Sequence, residues 1–210
     1  MNKLLPLAVL ALLSACAKDG DIDETGGIAI TRTACPAVAI PVQTGDITIF
    51  NPPSSRDARA IDVVATMTNV RVSCGDQGAD VVSEASFEVQ ARRTNPSGAR
   101  EVVIPYFATV VRGGNTVVSK RVERVTLNFA DGALRASTTG KGGAVINRAA
   151  ATLPDDVRAK LTRKRRADDA DASIDPLSAP DVRAAVARVS FELLLGFQLS
   201  ADQLQYNATR

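Results

Sequence analysis

Hydrophobic and polar residues alternate along much of this chain with a period of two, the signature of strands that bury one face. The cleanest instance lies near the end. In VSFELLLGFQL, Val189, Phe191, Leu193, Leu195, Phe197 and Leu199 take every odd position, while Ser190, Glu192, Gly196 and Gln198 take even ones. That pattern predicts a strand in the middle of the sheet packing that holds the end of the chain in the core. ASFEVQARR repeats the alternation, with Phe87, Val89 and Ala91 inward and Glu88, Gln90 and Arg92 outward. In IDVVATMTNVRVSC the apolar parity is odd at Ile61, Val63, Ala65 and Met67 but even at Val70, Val72 and Cys74, which predicts a β-bulge near Asn69. VVSKRVERVTLNF switches likewise, from Val118 and Val122 to Val125, Leu127 and Phe129, and predicts a second bulge at Glu123 and Arg124.

VVIPYFATVV, residues 102–111, is apolar on both faces and so belongs in a central or covered strand. Pro105 within it has no N–H to give a ladder, which argues instead for an edge or a bulge at that point. Short strands are expected at 37–40 and 47–50, followed by a rigid loop in NPPSSRDARA. RGGN and ADG read as hairpin turns. LRASTTGKGGAVI reads as a return strand with a flexible glycine segment inside it.

After Ala149 the pattern changes. LPDDVRAKLTRKRR has an acidic start, a basic end and a thin apolar face at Val157 and Leu161, predicting a short superficial helix. RRADDADASIDPLSAPD reads as an exposed connector, and residues 180–187 as a short helix feeding the last strand.

Seven or eight strands with one pair of cysteines predict an all-β fold, two antiparallel sheets packed as a β-sandwich, with short helical insertions near the C-terminus at about 150–188. The arrangement resembles an immunoglobulin-like or fibronectin-like module. The chain has no Trp and no Cys-Trp-Cys spacing, so the resemblance implies an architecture and no family function. The alternative is an α+β domain whose antiparallel sheet is covered by residues 153–161.

The N-terminus carries an address. Lys3 precedes an apolar run at 4–13, broken by Pro6, and small residues Ser14 and Ala15 lead to Cys16. This is the layout of a signal peptide, too short for a bilayer-spanning helix. LSAC at 13–16 resembles the lipobox of bacterial lipoproteins. The resemblance implies removal of residues 1–15, acylation of Cys16 (palmitate among the chains) and anchoring through several acyl chains. Ala17, where an aspartate would imply retention at the inner membrane, implies the outer membrane, with the domain facing the periplasm. Residues 16–33 hold the lipidated cysteine and a polar, Gly-rich tether; extended at about 3.3–3.6 Å per residue, the part after Cys16, residues 17–33, reaches about 55–60 Å. The folded domain is expected over 34–210.

Composition then narrows the chemistry. The chain has 25 Lys and Arg against 23 Asp and Glu, and losing Lys3 with the leader brings it nearer to neutrality, so no strong field gathers nucleic acid. There is no His, which removes Ser-His-Asp and Cys-His triads and the usual zinc sites. With Tyr only at Tyr106 and Tyr206, stacking platforms for sugars or single strands are scarce. Adjacent carboxylates at Asp155–Asp156 and Asp168–Asp169 fall in surface segments; Ser83, Ser86 and Lys120 offer a Ser-Lys arrangement that no short motif fixes; GKGG lacks the spacing of a phosphate loop. No metal and no cofactor are expected.

Cys35 and Cys74, in an oxidising compartment, are expected to form a disulfide, with two buried thiols as the alternative. Pro105 and Tyr106 are candidate partner contacts, with a core place for Tyr106 as the alternative. Arg163, Lys164, Arg165 and Arg166 form a basic run that suits phosphate or an acidic partner, or else a solvated loop partly neutralised by Asp168, Asp169 and Asp171. These features predict a non-enzymatic, lipid-anchored envelope protein that binds or supports another envelope component. A ligand- or glycan-binding lipoprotein and a hydrolase are the alternatives.

Overall fold

A computed structural model describes residues 34–163, 169–171 and 173–209. Eight strands run in chain order as β1 (Ala37–Ala39), β2 (Asp46–Phe50), β3 (Ile61–Gln77), β4 (Asp80–Arg93), β5 (Arg100–Arg112), β6 (Thr116–Phe129), β7 (Arg135–Asn147) and β8 (Phe191–Phe197). They form two four-stranded sheets, ordered β1-β8-β5-β6 and β2-β3-β4-β7. Every neighbouring pair is antiparallel except β1 with β8, where Ala37, Val38 and Ala39 run parallel to Glu192, Leu193 and Leu194. The long path from β1 to β8 supplies the crossover that a parallel pair needs.

The inner faces meet in one core. Val63, Phe87, Ile104, Leu127, Leu193 and Leu195 sit in it almost without exposure, so the odd-position alternation in the last strand and in ASFEVQARR is realised in burial. Val189 is the exception: it ends helix α2 (Pro180–Val189), whose last turn is closed by the Ser190 hydroxyl donating to Val186 O at 2.8 Å.

β3 breaks register against β4 between Thr68 and Arg71, and Asn69 takes a positive φ of 51°. The bulge expected there exists, and Asn is among the few residues that enter that region at low cost. The second expected bulge does not exist. β6 stays in register with β5 from Phe129 opposite Arg100 to Ser119 opposite Val110, and the only shift lies beyond, at Val110 and Val111. The change of parity at Glu123 and Arg124 records where burial stops along an unbroken strand; residues 116–124 are exposed.

β5 lies between β8 and β6, a central place, and its outer face is covered only in part: Thr109 and Val111 are buried, Phe107 is half-buried and Val103 is exposed. Pro105 is at neither an edge nor a bulge. β8 ends with Phe197 opposite Tyr106, and Pro105 O accepts from Gln198 N at 2.9 Å, so the missing N–H falls one rung beyond the neighbouring strand. β7 also corrects its sequence reading. It is strand throughout, and its glycines fit close approaches: a Cβ at Gly140 would collide with the Phe87 ring, and one at Gly142 would lie 2.6 Å from Leu195 Cδ2.

The late helices are α1 (Asp155–Thr162), α2 and α3 (Ala201–Thr209). Val157 of α1 packs with Val182, Ala185 and Val186 of α2 in a small second core, so α1 does not cover the sheet core. The domain is a mostly antiparallel two-sheet structure with short C-terminal helices. Nothing in the alternation anticipated α3, which packs on β2 through Tyr206 edge-on to Phe50 at 5.1 Å and through Asn207 Nδ2 donating to Asp46 O at 2.8 Å. Among the described residues no helix is long and apolar enough to cross a membrane.

Candidate functional site

Cys35 and Cys74 are bonded, with their Cα atoms 6.1 Å apart. Cys35 precedes β1 of one sheet and Cys74 lies in the far arm of β3 in the other, so the bridge links the two sheets. Cys16, Lys164, Arg165 and Arg166 lie outside the described residues. Arg163 is described: it follows α1 as its C-cap and is exposed.

Tyr106 is a core residue, 3% exposed. The expected partner contact there is therefore corrected, because β5 directs this side chain between the sheets, edge-on to Phe87 with ring centroids 5.0 Å apart. Its hydroxyl lies 2.7 Å from Lys141 O of β7 and 2.8 Å from Glu123 Oε2 of β6. Burial, and then the Glu123 carboxylate beside it, push the phenol up to about 12, so it is a neutral hydrogen-bond donor. Pro105, on the opposite face of β5, is half-buried and remains accessible.

The Ser-Lys arrangement is not assembled. Ser83 is fully buried on β4 and its Oγ has no hydrogen-bond partner, while Lys120 Nζ stands 5.2 Å from the Phe107 ring centroid on β5 of the other sheet. Ser86 has the opposite parity to Ser83 and faces the other way. Asp155 and Asp156 open α1, where Asp155 pairs with Arg158. Among the described residues no group of three His, Cys, Asp or Glu side chains is set to hold a metal.

Arg93 was missed by sequence reasoning. It is 2% exposed, and its guanidinium donates to Ala133 O, Gly98 O, Pro96 O and Ala130 O at 2.6–2.8 Å while lying over the Phe129 ring. It pins the 94–99 loop to the β6–β7 turn. Its odd position continued the inward parity of Phe87, Val89 and Ala91, and only its charge spoke against that place. Four carbonyl acceptors make burial of the charge tolerable.

No family model, no curated protein and no solved structure matches this chain. Two surfaces of the domain remain as candidates. One is the outer half of β6, an edge strand whose residues 116–124 are all exposed, with Val117, Val118 and Val122 at 61%, 54% and 54%. Lys120, Arg121, Glu123 and Arg124 share this stretch, leaving it net positive. The other is a shallow concavity of about 460 Å³ on the outer face of β3, β4 and β7, lined by Thr66, Gln90, Arg92 and Arg135 among others.

Proposed function

We propose that this chain is a non-catalytic, lipid-anchored module of the outer membrane that faces the periplasm and binds or braces another cell-envelope component. The observation that carries the reading is the outer half of β6: an edge strand with three exposed valines among mostly basic residues. An exposed edge offers main-chain donors and acceptors to an added strand, and the side chains beside it select the sequence. Val118, Lys120, Val122 and Arg124 follow one another on one face of the strand, so an extended partner segment whose residues on that face are by turns apolar and acidic complements them. The same charges discourage pairing between two copies of the strand. The lipobox resemblance at Cys16 supports the anchor. At the level of architecture, the likeness to an immunoglobulin-like or fibronectin-like module belongs to the same proposal and is supported by two sheets packed face to face.

Carriage of a ligand between the sheets is less well supported. At Gly142 an added Cβ would lie 2.6 Å from Leu195 Cδ2 and 3.0 Å from Ala108 Cβ of the other sheet, and Phe87, Tyr106 and Leu195 fill the space beside it.

The test is photo-crosslinking in native membranes of the full chain carrying a photoreactive residue at Val122, with Thr139 on β7 as the control position. A single discrete envelope adduct from Val122 alone is expected. It should vanish in Val118→Asp, whose exposed site keeps stability within about 0.5 kcal/mol, and weaken in Cys16→Ala. Adducts of equal yield from both positions, or none from Val122, would sink the proposal.

A further inference from the structure

We propose that the outer face of β3, β4 and β7 binds a phosphorylated sugar, with Arg92 and Arg135 straddling the phosphate. Arg92 of β4 and Arg135 of β7 are directly opposite each other in the ladder. Cross-strand partners hold their Cβ atoms about 4.5–5.5 Å apart, and like charges in that relation are destabilising. Both side chains are exposed, and neither has an ion-pair partner among the described residues.

The acidic groups nearest to them on the same face have other partners. Asp62 takes both forks of Arg100 at 2.7 Å, Asp46 Oδ1 accepts from the Thr66 hydroxyl at 2.6 Å, and Glu88 Oε1 accepts from Asn69 Nδ2 at 2.8 Å. The two arginines are thus a matched pair of cations that form no ion pair with these carboxylates, at the end of a concavity of about 460 Å³. A tetrahedral phosphate dianion offers acceptors to both planar forks and removes their repulsion, which two separate carboxylates on the face do not do.

The neighbouring rung sets the rest of the ligand. Thr66, Gln90 and Ser137 lie side by side across the three strands, two residues along from Val64, Arg92 and Arg135 and next to them on the same face. That row gives the Gln90 amide and the Ser137 hydroxyl, which both donate and accept, and the Thr66 hydroxyl, which gives its proton to Asp46 and is left as an acceptor, beside a small apolar floor at Val64. It suits the hydroxyls of a sugar carrying the phosphate better than a bare anion or an acyl chain. This surface is in the sheet that does not contain β6, so it stands apart from the edge-strand reading.

The experiment is a titration of the full chain in non-ionic detergent with glucose 1-phosphate, inorganic phosphate and glucose, followed by the NMR signals of the arginine Nε–H groups. Saturable shifts of Arg92 and Arg135 with glucose 1-phosphate are expected, at least tenfold weaker binding in Arg92→Gln and in Arg135→Gln, weaker binding of inorganic phosphate, and none of glucose. Arg135→Glu should pair with Arg92, raise Tm without ligand and lose the binding. No saturation below ~10 mM, or unchanged affinity in the glutamine variants, would overturn the site. Equal affinity for inorganic phosphate would overturn the assignment to a sugar.

Discussion

Tyr106 carries one hydroxyl proton toward two oxygens, and its raised pKa gives stability a pH dependence with a definite sign. The native state holds that proton to about 12 while the unfolded chain releases it near 10, so the contribution is complete below pH 10 and is lost as pH rises toward 12. Tyr106→Phe should therefore show a shallower fall in stability between pH 10 and 12 than the native chain, measured by urea unfolding at each pH; parallel curves would refute the assignment. At this scale the sequence named the right residue and left its place open, because a tyrosine on a two-faced apolar strand satisfies both a core and a contact reading. Arg93 shows the reverse. Sequence reasoning did not place it, although its odd position continues the inward parity of β4, and the four carbonyls that accept from it come from two loops brought together only in the fold.

For single strands, the alternation was legible wherever one face meets the core along the whole length, as in β4 and β8. It misled in β6, because burial there changes halfway along a strand whose backbone does not. β7 misled in another way. Three glycines in one stretch read locally as freedom, whereas Gly140 and Gly142 are small because Phe87 and Leu195 from other strands occupy the space beside them. Gly140→Ala should cost about 1–3 kcal/mol by overpacking. Gly75→Ala, with nothing within 4 Å of the added methyl, should be neutral or slightly stabilising. Chemical denaturation of the two variants separates the cases, and equal effects would refute the packing account.

Across the whole molecule the disulfide is the cross-link between the sheets. Its partners lie 39 residues apart, and closing a loop of that size contributes about 4 kcal/mol in the chain-entropy account. Replacing Cys35 and Cys74 together by Ser should lower stability by up to that amount while leaving the β-sheet circular dichroism unchanged below the new midpoint. A loss under about 1 kcal/mol would mean that the unfolded state is already restricted in the same way. The sequence by itself determined the all-β class, the strand periods, the Asn69 bulge and the cysteine pairing, since each follows from local parity, from turn chemistry or from there being two cysteines beyond Cys16. Only the tertiary structure decided which strands are neighbours, that β1 runs parallel to β8, that Tyr106 and Arg93 are buried, and that Arg92 faces Arg135. Those facts depend on which distant segments share a rung or a core, and period and composition carry no information about partners across the chain.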